Sequence, residues 1–389
     1  MVLTIMKFIQ RTLFPFIQKD LKTKIVLLAG SRQTGKTTLA KKICINFEYL
    51  NFDAPKDRGI MKDLSWRRDS EVVIFDEIHK MKRWKSWIKG IYDTEGVRPK
   101  ILVTGSASLD VMRKGGDSLA GRHFSYRIHP FTVKELLPLM PAKESLGRIL
   151  SFGGFPEPFL EESEAFARRW RASHQDVILR QDLIDLERVR EIKSIEILLS
   201  LLSQRVGSTI SYQSLAEDIG VSIHTIKHWL EILERLFVIF RVAPYSKKLA
   251  AAIRKESKYF FFDTGVVSNG QGARLENAVA CALLAELHEI EDTTGRKTAL
   301  HFIRDKQKHE VDFLTLIDGI PHSLIEVKAK DEVFSPSLLR YKAKLGGAKL
   351  SAYQIVLDEI RRKEKDGTKL LPVSKFLEDP LQRSTHHFG

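Results

Sequence analysis

Three groups of residues have the types and the spacing to do chemistry. The first is Gly30-Ser31-Arg32-Gln33-Thr34-Gly35-Lys36-Thr37-Thr38, which follows the apolar run Ile25-Val26-Leu27-Leu28-Ala29. Its form, G-x-x-x-x-G-K-S/T, turns backbone N–H groups of a tight loop toward one pyrophosphate, and glycine permits the close approach. On that reading Gly30 through Thr38 cradle the phosphates of ATP, Lys36 bridges the β and γ phosphates, and the Thr37 hydroxyl ligates Mg2+. The second group is Asp76-Glu77, after Val72-Val73-Ile74-Phe75. Four apolar residues followed by two acids place Asp76 in a metal shell and Glu77 where it activates an attacking water. The plainer alternative is an acidic pair that starts a helix. A further strand, Ile101-Leu102-Val103, ends in Thr104-Gly105-Ser106, which sets Thr104 as a sensor of the γ phosphate, although Thr and Ser also end strands for turn reasons.

The third group lies far downstream. Glu310-Val311-Asp312-Phe313-Leu314 and Glu326-Val327-Lys328 read as two adjacent strands with a turn at Asp318-Gly319. Strand alternation brings Asp312, Glu326 and Lys328 to one face and one end of that hairpin. Two carboxylates there can hold Mg2+ or Mn2+, with Lys328 positioning water or stabilising charge on a scissile phosphate. Glu276, on a preceding helix, can complete the metal set. The plainer alternative is an exposed hairpin with a Glu326–Lys328 pair, worth at most about 1 kcal/mol.

These residues need elements to hold them. From residue 24 to about 130, short β-rich runs alternate with helical stretches, which predicts a parallel α/β sheet. Helical periodicity follows, broken by Phe152-Gly153-Gly154-Phe155-Pro156. Residues 195 to 241 then show three helices and a closing strand. Within them Gly220 at a helix end and Ser222 at the next N-cap have helix-turn-helix spacing, and His224, Thr225, Lys227 and His228 would face a DNA groove. Such modules also serve protein packing alone. From about 255 a second α/β pattern runs through strands, a helix over 275 to 289, and the hairpin. The expected division is 1–135, a P-loop sheet domain; 136–193, a helical lid or connector; 194–250, a winged helix-turn-helix; and 251–389, a second α/β domain.

Composition bounds the partners. The 389 residues carry 63 Lys and Arg against 49 Asp and Glu, a net charge of +14, which favours a polyanion such as DNA. Lys80 to Lys89 interleaves positive charges with Trp84 and Trp87. One reading puts the tryptophans against bases. The favoured one packs Trp84, Trp87 and Ile88 inward on one helix face. Two cysteines, Cys44 and Cys281, are too few for a disulfide framework or a zinc site and fit a reducing compartment. No run of about 18 uncharged apolar residues occurs, so no membrane partner is expected and the expected location is the cytoplasm.

The runs LLAGSRQTGKTTLA, VVIFDEIHK, ILVTGSAS and LAGRHFSYRIHPFTVKEL, with SFGGFPEPF and KYFFFDTGVV, resemble a prokaryotic AAA+-type ATPase family that carries a C-terminal domain of unknown function. The resemblance implies an AAA+-like ATPase domain and makes Arg122, in Ala120-Gly121-Arg122, a phosphate-sensing or finger arginine. A finger acting across subunits would require a homo-oligomer. The Asp312…Glu326-x-Lys328 pattern resembles the PD-(D/E)xK nucleases, which implies a restriction-endonuclease-like fold and a metal-dependent endonuclease site. No Pro precedes Asp312, a departure from that pattern. The expected function is therefore a DNA-associated ATPase with a nuclease-like C-terminal domain. The rival is an ATP-dependent switch or protein-interaction module whose nuclease-like domain is inactive.

Overall fold

The computed structural model describes residues 9–96, 98–105, 119–183, 191–246, 256–330, 333–346, 350–357 and 363–381. The chain forms two compact units, residues 1–129 and 130–389.

The first unit is built on five parallel strands: β1 (Ile25–Ala29), β2 (Phe47–Asn51), β3 (Val72–Asp76), β4 (Lys100–Thr104) and β5 (His123–Arg127), in the order β2-β3-β4-β1-β5. β1 and β3 are buried along their whole length. Their unbroken apolar runs follow from being covered on both faces, as parallel strands with crossover helices are. Alternation sends Ile25, Leu27, Val73, Phe75, Ile101 and Val103 to one face, where the helix Trp84–Glu95 packs. It sends Val26, Leu28, Val72, Ile74 and Leu102 to the other, against the helices Lys36–Lys42 and Phe14–Asp20. Trp84 and Ile88 are buried, and Trp87 stands edge-on to Phe75 at 5.3 Å and to Trp66 at 5.9 Å. The tryptophans therefore belong to the core. β5 is a strand that the alternation of short apolar runs did not reveal, because His123-Phe124-Ser125 is half polar.

The second unit holds a nine-stranded sheet in the order β13-β14-β12-β11-β10-β9-β7-β8-β6. Its members are β6 (Thr209–Ile210), β7 (Ile239–Pro244), β8 (Ser257–Phe261), β9 (Thr298–Arg304), β10 (Glu310–Ile317), β11 (Ile320–Lys328), β12 (Ser351–Val356), β13 (Lys363–Lys365) and β14 (Thr368–Pro372). β7 pairs antiparallel with β8 and parallel with β9, so strands on either side of the expected boundary at 250 share one sheet. The β10–β11 hairpin turns at Asp318 and Gly319, both with positive φ. That is the geometry of a tight two-residue hairpin turn, for which Asp-Gly is suited. The 25-residue helix Gly270–Thr294 lies along this unit, and Asn277 ties it to β8: its Nδ2 donates to the Phe261 carbonyl at 2.9 Å, and the Phe261 N–H donates to its Oδ1 at 2.8 Å. The tail past residue 365, silent in sequence, supplies β14 and the short helix Val373–Phe376.

Candidate functional site

In the first unit the loop between β1 and the helix Lys36–Lys42 carries the Gly30–Thr38 motif. Gly30, at φ 150°, lies where a side chain would collide with the Ile128 carbonyl, and Gly35, at φ 90°, caps the helix. Only glycine meets both demands without strain. Gln33 also has positive φ, at 60°. The Thr34 hydroxyl donates to the Ser31 carbonyl at 2.8 Å, and Arg11 donates to the Thr34 carbonyl at 3.1 Å and to that of His129. Lys36 is 7% exposed, and its ammonium donates to the carbonyls of Ser31 at 2.5 Å and Gly30 at 3.0 Å.

Sheet order places β3 beyond β4, yet Asp76 and Thr37 converge. The Thr37 hydroxyl donates to Asp76 Oδ2 at 3.0 Å, the Tyr49 hydroxyl donates to the same oxygen at 2.7 Å, and the Thr104 hydroxyl donates to Oδ1. Three hydroxyls thus hold one buried carboxylate beside the loop. Burial and the adjacent Asp76 carboxylate push the Tyr49 phenol up. Glu77 follows with a left-handed backbone, φ 55° and ψ 22°, and a largely buried carboxyl whose Oε2 lies 3.4 Å from His79 Nε2. Burial first, and then Asp76, raise its pKa above the ordinary carboxylate value. A non-glycine residue held in that region marks a place where the fold constrains a side chain against local preference. Ser106 lies outside the described residues.

In the second unit Asp312 and Glu326 face each other next to the Phe313–Ile325 pair of the hairpin, and the Val327 N–H donates to Asp312 Oδ2 at 2.8 Å. Lys328 pairs with Glu326 at 2.8 Å. The hairpin register thus brings Asp312, Glu326 and Lys328 together at one end, and Glu276 joins them through a residue that the sequence pattern does not single out, Lys258 of β8. Its ammonium lies 2.7 Å from Glu310, 3.1 Å from Glu276 and 3.6 Å from Asp312. Burial alone would lower the Lys258 pKa; the three carboxylates outweigh it and raise it. Glu276 and Glu326 are each pushed up to about 7, by burial first and then by Asp312.

Residues 22–137 match the family model described as an AAA domain. The N-terminal unit is an AAA-type P-loop domain. Residues 143–276 and 271–376 match two domains of unknown function, DUF8612 and DUF4143. An uncharacterized protein of Mycobacterium tuberculosis is 24% identical over 329 residues, 82% of this chain and 73% of its own length. One of Methanocaldococcus jannaschii is 26% identical over 347 residues, 79% of this chain and 75% of its own. Among solved structures a RuvB variant of Thermotoga maritima aligns with a TM-score of 0.30 at 17% identity, over 59% of this chain and 87% of that one.

Within the AAA-type domain, Arg122 is not brought to the loop. It precedes β5, and its carbonyl accepts from the N–H of Ile25 at the start of β1, whereas the loop leaves the far end of β1. Its guanidinium instead makes a two-bond contact with Asp93, at 2.7 and 3.2 Å. In a parallel sheet the two ends of a five-residue strand are about 13 Å apart. Strand direction therefore sets Arg122 at the end of the sheet opposite the loop. The arginine at the loop end of β5 is Arg127, paired in register with Ala29.

Two histidines, the buried His129 and the part-buried His79, should make the AAA-type domain acid-sensitive. His129 is pushed down to about 3 by burial, Arg127 and Arg11, and His79 to about 4 by burial and Lys80. Both stay neutral in the folded chain, while the unfolded chain protonates them below about 6.5. Stability is then lost as pH falls from 6.5 toward 4, by about 1.4 kcal/mol per pH unit for each histidine. Glu77, raised, opposes part of this. Hydrogen exchange of the β1 and β3 amides, corrected for intrinsic rate, should show lower protection at pH 5.5 than at pH 7; equal protection would contradict an acid-sensitive domain.

The turn of the helix-turn-helix segment is built as its sequence predicts. Ser222 accepts from the Thr225 N–H at 3.0 Å, and Gly220, at φ 78°, ends the helix Tyr212–Ile219. On the helix Ile223–Arg235, Ile226, Trp229, Leu230 and Leu233 are buried, His224 and Lys227 are exposed, and Thr225 and His228 are half-buried. Among the described residues no helix is long and apolar enough to cross a membrane.

Proposed function

We propose that the protein binds and hydrolyses ATP at the loop of its AAA-type domain and acts in association with DNA, its C-terminal unit comprising a winged helix-turn-helix and a nuclease-like fold. The observation that carries the first part is the Asp76 carboxylate held by Thr37, Tyr49 and Thr104 beside Lys36. Oxygen donors from Thr37 and Asp76, 3.0 Å apart, suit Mg2+, a hard cation that takes oxygen ligands and keeps several waters. Bound there, Mg2+ would neutralise charge on the phosphates. The chain's own part is positioning. Backbone N–H groups of the loop and Lys36 hold the phosphates, Tyr49 and Thr104 fix the orientation of Asp76, and Glu77 takes the proton of the attacking water. Thr104 also stands at the end of β4, where it can answer to the γ phosphate.

DNA association is supported by the net charge of +14 and by His224 and Lys227 exposed on the second helix of the helix-turn-helix. A finger role for Arg122 is open only across a subunit interface, which would make the working form a homo-oligomer. For the nuclease-like fold the non-cleaving reading is favoured by one observation: both Asp312 oxygens are engaged within the chain, one facing Lys258 and the other accepting from Val327.

One set of assays tests this. Phosphate release from ATP should require Mg2+, duplex DNA should be retained on a filter with a steep loss in salt, and plasmid incubated with Mn2+ should stay supercoiled. A folded protein that releases no phosphate overturns the ATPase assignment; one that retains no DNA overturns the DNA assignment. Nicking that disappears in Asp312→Ala overturns the non-cleaving reading.

A further inference from the structure

The nuclease-like reading, on which this inference rests, expects a divalent cation among Glu276, Asp312 and Glu326. The side chains are arranged otherwise. Lys258 has a side chain only 1% exposed, and its ammonium has three N–H donors with three carboxylates around it: Glu310 at 2.7 Å, Glu276 at 3.1 Å and Asp312 at 3.6 Å. The remaining oxygens are largely engaged as well. Val327 donates to Asp312 Oδ2, Arg304 donates to Glu310 Oε2 at 3.2 Å, and Lys328 pairs with Glu326 Oε1. Glu276 Oε2 faces Gly207, where a side chain would collide with it. Glu326 Oε2 is buried without a hydrogen bond, a single carboxylate oxygen where a divalent ion bound through the protein takes one or two carboxylates and fills its shell with water. Among the described residues no group of three His, Cys, Asp or Glu is placed to hold a metal ion.

We propose that the Lys258 ammonium is the built-in cation of this cluster, occupying the place a divalent ion would take and joining β8, β10 and the helix Gly270–Thr294 into one body. The chemistry is that of charge replacement. Glu276, Glu310 and Asp312 come from a helix and a strand distant in sequence, and three carboxylates brought this close without a cation would repel one another. A buried carboxylate group is stable only when paired, and a lysine on β8 supplies the pairing from within the chain. A divalent ion bound to Asp312 and Glu276 would lie beside the ammonium and be repelled by it. The unit then carries the arrangement of a metal nuclease with a permanent cation that cannot activate water by coordination. Because β8 also pairs with β7 and β6 around the helix-turn-helix, the same lysine fastens that module to the sheet.

The test is Mn2+ binding to the full chain without nucleotide, followed by the electron paramagnetic resonance signal of free Mn2+ and by Tm. The wild-type protein should take up no Mn2+ that Asp312→Asn removes. Lys258→Gln should acquire one Mn2+, with a rise in Tm on adding the metal, and Lys258→Gln with Asp312→Asn should lose both. Mn2+ uptake by the wild type that Asp312→Asn abolishes overturns the proposal, as does a folded Lys258→Gln that takes up none. Should Lys258→Gln fail to fold, the wild-type comparison with Asp312→Asn decides alone. Filter retention of duplex DNA by the wild type, measured beside it, separates failure of this inference from failure of DNA association.

Discussion

Lys36→Ala should lower ATP turnover by about 10²- to 10³-fold, as removal of a single preorganised donor to developing charge does in a water-poor site. Lys36 is the first residue of its helix and is 7% exposed, so its ammonium is committed to the loop rather than to solvent. Its bonds to the Gly30 and Ser31 carbonyls hold it under the turn of the loop. Alanine removes the charge and leaves Gly30, Gly35 and Thr37 in place, so the fold of the loop should survive while nucleotide affinity falls. Lys36→Arg should not rescue, because a planar guanidinium is larger and directs its donors differently from a compact ammonium. Phosphate release and binding of a fluorescent ATP analogue check both statements. Turnover within tenfold of wild type in Lys36→Ala would remove the loop from the mechanism.

How far this arrangement could be read from the sequence depends on how local each part is. Gly30 through Thr38 is a contiguous loop, and its glycines and lysine announce a phosphate cradle by spacing alone. Asp76 and Glu77 stood out for a similar reason, an apolar strand closed by two acids, and the structure brings Asp76 to Thr37 of the loop. Tyr49 was not legible. Its hydroxyl reaches Asp76 only because β2 lies beside β3 in register, with Asn51 opposite Asp76, and nothing in Phe47-Glu48-Tyr49 says so. Arg122 shows the limit of a motif: it names a residue type, and strand direction decides which end of the sheet that residue occupies. Lys258 was hidden by its own neighbourhood. In Lys258-Tyr259-Phe260-Phe261-Phe262 it reads as a charge flanking an apolar strand, and its three partners come from elements 18 to 54 residues away. The hairpin carrying Asp312 and Glu326 was clear from alternation and Asp-Gly, whereas its joining to the helix-turn-helix strands through the β7–β9 pair rests on two residues of parallel register.

Glu77→Gln should lower turnover by about 10²- to 10⁴-fold while leaving ATP affinity within a few fold, the range by which a positioned general base contributes. Glutamine keeps the length and shape of the side chain but neither its charge nor its basicity. Glu77 does not share the hydroxyl network that holds Asp76; its carboxylate lies 3.4 Å from the neutral His79 ring and 3.9 Å from the Lys80 ammonium, and Lys80 is itself paired with Asp53 at 2.6 Å. Losing its charge should therefore disturb catalysis more than the binding of metal or phosphate. Burial and Asp76 raise the Glu77 pKa, so the acid limb of the wild-type rate should lie above the ordinary carboxylate range: turnover falls as pH drops through the folded-state pKa, because only the ionised form accepts a proton. His79, neutral over that range, should not produce a second limb. Single-turnover measurements on bound ATP, from pH 5 to 8, distinguish the roles. A Glu77→Gln chain that binds ATP and turns over at the wild-type rate would move the base elsewhere. One that no longer binds would mean that the left-handed turn at Glu77 is a structural support for the loop.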